Sequence, residues 1–266
     1  MKKIIVLIIA LMLLMSNFVY ASEPYSRSQI DSSNSNKGIV TVKYTGDKNK
    51  KIKVIVEKDN LKYFYTLHNL KQNENFPLQM GEGNYKVTVL ENVGGNRYRP
   101  MFSNVFIAKL TEQNQTFLQS VQSIEWNESM NAIIKAKELT QDLNTDEEKV
   151  KVLYDYVVKN FKYDFNKINT IPVNYIPDIE EIFKTKTGIC YDFSSILAGM
   201  LRSVGVPAKL VKGYSKNVVG YHAWNEVYLN EKWVILDTSY DSQLNINQNH
   251  YKMIKDDKLY QKKYEY

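Results

Sequence analysis

The sequence predicts an α+β protein with a small all-β part in front of it. Three observations carry this reading. Residues 38–110 hold short runs in which apolar and polar residues alternate, punctuated by Gly, Asn and Asp, the pattern of a sandwich-like set of strands. From about Thr111 the apolar spacing lengthens to that of helices. Beyond the last of those helices come three more strand-like runs, so the second part reads as helices followed by strands. The chain has 266 residues, 44% hydrophobic and 24% charged, which excludes a disordered or collagen-like protein.

Taken in order, Lys2 and Lys3 precede an apolar run from Ile4 to Met15, and Val19-Tyr20-Ala21 follows. A basic start, a short apolar stretch and a small residue at the exit predict a signal peptide over residues 1–21, cut after Ala21. The run falls short of the roughly 18 residues of a spanning helix. Export to the medium or cell surface is therefore expected, with no stable membrane insertion after cleavage. Loss of Lys2 and Lys3 lowers the formal charge from +6 to +4. The basic stretch Lys48-Asn49-Lys50-Lys51 reads either as a solvated loop or as a contact for an anionic cell-envelope component. No nucleic-acid motif is present, and nucleic acid is not an expected partner.

Residues 22–37, rich in Ser and Asn, read as a flexible lead-in. In the β part, at 38–110, Val40, Val42 and Tyr44 alternate with polar residues, as do Ile52, Val54 and Val56, and then Tyr85, Val87 and Val89. Turns are expected at Gly46-Asp47, Asp59-Asn60, Gly81-Glu82-Gly83 and Gly94-Gly95-Asn96. The α+β part, at 111–266, opens with a partly apolar helix around Met130, Ile133 and Lys137. Thr145 and Glu148 form a capping box in front of Val150, Leu153, Tyr154, Val157, Val158 and Phe161, all at helical spacing. After a loop with Pro172 and Pro177, Asp178 caps a short helix through Phe183. Phe193, Ile196, Leu197, Met200, Leu201 and Val204 form one apolar stripe behind Cys190, stopped by Gly205 and Pro207. The strands that follow run at about 208–214, 221–229 and 232–238.

The chain has one cysteine, which excludes an internal disulfide and any zinc site needing two thiolates. The acids are scattered with no calcium loop, so neither metal nor cofactor is expected. Cys190 falls at a helix start, where unpaired N–H groups and the dipole favour negative charge. Activating a thiol takes about 5 kcal/mol, and a helix end supplies at most about 2 kcal/mol. An imidazolium must supply the rest. His222 is the better candidate, because strand geometry provides it with a carboxylate. With Asn230-Glu231 as a two-residue hairpin turn, Leu229 faces Lys232, Trp224 faces Asp237 and His222 faces Ser239. His222, Trp224 and Asp237 then share a face, with His222 and Asp237 as diagonal neighbours. The roles follow: Cys190 is the nucleophile, His222 moves the proton, and Asp237 orients the ring.

Three blocks in this order resemble the transglutaminase-like superfamily of thiol enzymes: Gly188-Ile189-Cys190-Tyr191-Asp192-Phe193-Ser194; Gly205-Val206-Pro207-Ala208-Lys209-Leu210-Val211-Lys212-Gly213-Tyr214; and His222-Ala223-Trp224-Asn225-Glu226-Val227-Tyr228 with Trp233-Val234-Ile235-Leu236-Asp237-Thr238. They cover roughly residues 145–241. Lys209 stands where an arginine is common, and Thr238 where a proline is. The resemblance implies a papain-like α+β core, Cys190, His222 and Asp237 as the triad, and acyl transfer through a thioester. It leaves the N-terminal β part undescribed. An oxyanion hole is also needed. The Cys190 N–H is one donor, and Tyr163 is either core or the second donor, resembling an aromatic donor of the family. Trp224 is expected as a wall of the cleft, Asp192 as a residue that caps or orients the nucleophile helix, and His68 and His250 as surface residues.

The expected partner is a peptide or protein substrate. Hydrolysis, as by a cysteine peptidase or amidase, is the first reading because water needs no second binding channel. Cross-linking by amine transfer, as in a protein-glutamine gamma-glutamyltransferase, is the second. A non-catalytic peptide-binding or adhesion protein is the third.

Overall fold

The computed structural model describes residues 28–47, 49–68, 73–246 and 251–266. The leader expected at 1–21, Lys48 of the basic stretch and His250 lie outside the described residues. His68 is exposed.

Strand β1 (Ser28–Asp31) pairs antiparallel with β2 (Ile39–Tyr44), with Ser28 opposite Tyr44 and Asp31 opposite Thr41. Of the flexible lead-in expected over 22–37, residues 28–37 are instead ordered here, and 22–27 lie outside the described residues. The strand is secured by Ile30, which is buried, and one apolar residue among polar ones leaves no compositional trace. Next come β3 (Ile52–Lys58), β4 (Leu61–Thr66), β5 (Glu74–Pro77), β6 (Gly83–Gly94) and β7 (Arg97–Ala108). They form two antiparallel sheets, ordered β1-β2-β5 and β4-β3-β6-β7. The alternating residues read from the sequence, Val42, Tyr44, Val54, Val56, Val87 and Val89 among them, meet in one apolar core between the sheets. Asp59 and Asn60 close the β3–β4 hairpin, with Asp59 at φ 53, a left-handed conformation that Asp tolerates better than most residues.

The second part begins with helices α1 (Asn131–Thr140) and α2 (Asp146–Asn160). The capping box of α2 is complete: Glu148 N–H donates to Thr145 Oγ1 at 3.3 Å, and Thr145 N–H donates to the Glu148 carboxylate at 3.1 Å. Two short strands, β8 (Lys162–Tyr163) and β9 (Thr187–Gly188), pair in parallel on either side of α3 (Ile179–Thr185), which Asp178 caps as expected. Helix α4 (Cys190–Ser203) follows, its stripe of Phe193, Ile196, Leu197, Met200 and Leu201 fully buried. It packs against the other helices and against a sheet of β10 (Ala208–Ser215), β11 (Val218–Leu229), β12 (Lys232–Leu236) and β13 (Tyr260–Glu265), ordered β12-β11-β10-β13.

The Asn230-Glu231 turn forms with both residues at positive φ, 49° and 62°, and sets Leu229 opposite Lys232 and Asn225 opposite Leu236. The third strand ends sooner than expected, at Leu236, because Asp237 turns the chain into helix α5 (Thr238–Ile246). Its carboxylate accepts the Tyr240 N–H at 3.1 Å, the bond of an N-cap. The sequence reading also lacked β13. Its residues, Tyr-Gln-Lys-Lys-Tyr-Glu, are mostly exposed at the sheet edge and carry no apolar alternation.

The two parts touch. Gln122 Nε2 donates to the Thr66 carbonyl at 2.7 Å, and the Tyr266 ring lies against those of Tyr63 and Tyr65, with centroids 5.8 and 6.1 Å apart. Arg202, near the end of α4, donates to the carbonyls of Ala208, Gln119 and Tyr266, tying the central helix to the connecting segment and to the last residue of the chain.

Candidate active site

Cys190 is the first residue of α4 and is 8% exposed. Its position is set by Asp192, a fully buried carboxylate one turn into the helix. Asp192 accepts the Ile189 N–H at 2.8 Å, the Lys167 ammonium at 2.6 Å and the Tyr175 hydroxyl at 2.6 Å. A buried carboxylate is tolerable when fully bonded in this way. The same bonds pin the loop carrying Lys167 and Tyr175 against the head of the helix. Gly188 leaves the room: a Cβ there would meet the Asp192 side chain at 2.5 Å. Asp192 therefore stands where the sequence put it, as a cap. Its partners Lys167 and Tyr175 carry no motif that would have revealed them.

His222 and Asp237 meet at the sheet. Nε2–H of His222 donates to Oδ2 of Asp237 at 2.8 Å, and both side chains are almost wholly buried. That leaves Nδ1 as the ring nitrogen free for another partner, and Cys190 lies near enough to favour the charged imidazole. Burial works against a charged ring, but the bonds and charges of Asp237 and Cys190 outweigh it and push the imidazole up to about 10. Burial likewise opposes charge on Asp237. Its bonds to His222, the Tyr240 N–H and the Tyr260 hydroxyl prevail and hold the carboxyl below its usual range. Oδ2 accepts Tyr260 at 3.0 Å, and Oδ1 accepts the Ser239 hydroxyl and the Tyr240 N–H, each at 3.1 Å. Tyr260 is a site residue that sequence reasoning missed, since it arrives on the unanticipated β13.

Trp224, expected as a wall of the cleft, is instead 1% exposed. Its ring stacks on the His222 imidazole at 6.3 Å and is covered from the other side by Tyr260 at 5.1 Å. It supports the imidazole from behind. β11 lies inside the sheet, so its residues there face packed neighbours. Gly213, opposite His222, permits this: a Cβ at that position would run into the Gln261 carbonyl at 2.1 Å and the Trp224 ring at 2.9 Å. Asn225 links sheet and helix, donating to the Ser194 and Lys209 carbonyls at 2.8 and 3.1 Å.

Tyr163 lies beside the sulfur because β8 pairs with β9, setting Tyr163 opposite Gly188. Burial and the Cys190 thiol hold its phenol well above the usual range, while the Cys190 backbone N–H acts in the other direction. Both groups named in the sequence as oxyanion donors are thus adjacent. Its ring also packs on Phe165 and Phe193, so Tyr163 joins the core as well as lying near Cys190. Among the described residues, no three His, Cys, Asp or Glu side chains gather as a metal-ligand set.

A thiol at a helix start, an imidazole against it and a buried carboxylate behind the imidazole define the papain-like class of arrangement. Residues 135–238 match the transglutaminase-like superfamily, and this part of the chain belongs to it. The segment is 38% identical over 121 residues to the uncharacterized protein YebA of Bacillus subtilis, covering 38% of this chain and 16% of that one. It is 28% identical over 118 residues to human kyphoscoliosis peptidase, covering 40% of this chain and 18% of that one. The chain thus spans less than a fifth of the length of these relatives. The periplasmic domain of TgpA from Pseudomonas aeruginosa superposes with a TM-score of 0.38 at 18% identity, over 76% of this chain and 72% of that one.

Proposed function

We propose that this protein is an exported thiol enzyme that hydrolyses amide bonds in peptides or proteins, with Cys190, His222 and Asp237 as its triad. The observation that supports this most is the buried His222 imidazole bonded to the Asp237 carboxylate at 2.8 Å, with Cys190 near enough to favour its charged form. In this reading Cys190 passes its proton to His222 and the sulfur attacks the acyl carbon of the substrate. As the carbon–nitrogen bond breaks, His222 returns the proton to the departing amine, leaving a thioester. Water, losing a proton to His222, then attacks the thioester, releasing a carboxylic acid and restoring the thiol. The Cys190 N–H and the Tyr163 hydroxyl hold the oxyanion at each tetrahedral stage. A relative named as a peptidase supports water as the final acceptor. The leader over residues 1–21 supports action outside the cytoplasm, and Ser22 as the first residue of the mature chain would establish it.

The test is to incubate the protein, and its Cys190→Ala variant, with a glutamine-containing protein and a labelled primary amine. New chain termini or ammonia without label, both lost in Cys190→Ala, are expected. Label incorporation would replace hydrolysis by amine transfer. No acyl adduct on Cys190 by mass spectrometry, with iodoacetamide reacting as it does with a free thiol, would leave a peptide-binding protein.

A further inference from the structure

Lys212 lies beside the nucleophile and stands apart from its neighbours in having no carboxylate partner among the described residues. It sits on β10 next to Gly213, the residue opposite His222, and is paired on its two sides with Ala223 and Tyr264. Two nearby lysines of the same sheet are matched by carboxylates: Lys209 with Glu265 at 3.1 Å, and Lys262 with Glu226 at 2.8 Å. Lys212 has no carboxylate or hydrogen-bond acceptor among the described residues. Its ammonium rests on two ring faces, Tyr191 at 3.5 Å and Tyr266 at 5.2 Å. Tyr191 directly follows Cys190 in the chain, and the ammonium feels the charge of the Cys190 sulfur. Burial pushes Lys212 down to about 8, and the sulfur draws it back up.

Ring faces recover only part of the hydration that a half-buried ammonium gives up. Its three N–H donors meet no protein acceptor among the described residues. The sulfur is not a standing counter-charge through the proposed cycle, because it becomes neutral once acylated. A carboxylate is the group such an ammonium recognises most strongly. We propose that Lys212 is a specificity-determining residue of the Cys190 site, binding a carboxylate that the substrate carries close to the bond under attack. This rests on the reading of Cys190 as an enzymatic nucleophile.

Two alkylating reagents of similar size test it on the intact protein. Iodoacetate brings a carboxylate to the sulfur and iodoacetamide a neutral amide; with each, a sulfur–carbon bond forms as iodide leaves. The ratio of the two rates cancels any effect common to both, including changes in folding or in the sulfur itself. In Lys212→Gln the iodoacetate-to-iodoacetamide ratio is expected to fall about tenfold relative to the parent, the scale of one charge contact near a protein surface. Lys212→Arg should restore most of it. In the parent the ratio should fade as pH rises through about 8, where Lys212 loses its proton. The other groups facing this position do not produce that change. His222 stays charged to about 10, burial holds the Tyr191 and Tyr266 phenols above their usual range, and ionisation of Cys190 affects both reagents alike.

A fast-reacting Cys190 whose ratio is the same in the parent and Lys212→Gln would overturn the subsite alone. A Cys190 that reacts with neither reagent faster than a free thiol would overturn the enzyme reading and the subsite with it. The source of the carboxylate follows from three chloroacetyl probes: glutamyl amide, glutamine with a free terminus, and glutaminyl amide. A Lys212-dependent advantage for the first assigns a side-chain carboxylate, and for the second a chain terminus. No advantage for either over the neutral third would remove the proposal.

Discussion

The two parts of this chain solve burial in opposite ways. Between the N-terminal sheets the buried side chains are almost all apolar, Val42, Val54, Val56, Val87 and Val89 forming the centre and Glu91 and Gln79 standing out as polar. The helices and sheet that follow bury Asp192, Asp237, Asp241, His222 and Arg202. Apolar burial is non-directional and survives many substitutions. A buried charge is tolerable only with its partners in place, and losing one partner leaves the other stranded. The β part is therefore specified by pattern, whereas the region around Cys190 is specified by individual pairs. Substitutions should separate the two, by the kind of loss as much as by its size.

The largest effects belong to the triad. Asp237→Asn keeps the shape but removes the charge that the imidazole is built around, and a fall in turnover of about 10⁴-fold is expected, as for the equivalent change in a serine triad. Cys190→Ala should cost more still, and adding Asp237→Asn to it should lower turnover little further, because residues acting as a unit are not additive. Losses that multiply in the double variant would deny that the two act together.

Next is a pair of stability measurements by denaturant unfolding. Asp241 is fully buried, bonded to Lys255 and to the Tyr154 hydroxyl. Asp241→Asn leaves the Lys255 ammonium, itself 8% exposed, without its charge partner, and a loss of about 3–5 kcal/mol is expected. Because α5 carries Asp241 and is capped by Asp237, turnover should fall as well. Leu78→Ala, in the other core, should lose about 2–5 kcal/mol by opening a cavity, with the activity of the folded fraction retained. A Leu78→Ala protein that is folded but inactive would show that the β part governs the site directly.

The same contrast explains what could be read in advance. Residues 38–110 announced their strands through Val40, Val42, Ile52, Val54 and their successors, because a two-residue period is local information. The hairpin register was equally legible from Asn230-Glu231, and it brought His222 and Asp237 together on paper as they are in space. Strand β13 was not legible. Tyr260 has no local signal, and it matters only because the last strand returns beside β10, a long-range pairing that no window of sequence contains. Trp224 was misjudged for a related reason: parity gives its face, but only the arrival of Tyr260 decides that the face is covered.

Tyr260 therefore offers the finest test of specification by pairs. Its hydroxyl is one of four donors on Asp237, so Tyr260→Phe should lose only about 0.5–1.5 kcal/mol. The sharper readout is the pH dependence of stability. His222 is raised from 6.5 to about 10, so its contribution is complete below pH 6.5 and is lost as pH climbs through 10. Asp237 is depressed, so its contribution is present above the ordinary carboxylate range and is lost as pH falls through its lowered value. Removing the Tyr260 hydroxyl takes away one bond that favours the carboxylate, so the acid limb should move to higher pH while the alkaline limb, set chiefly by His222, holds. Leu78→Ala should lower the whole curve and move neither limb. If Tyr260→Phe behaves like Leu78→Ala, the tyrosine merely fills space beside Trp224, and the carboxylate is held by its remaining donors.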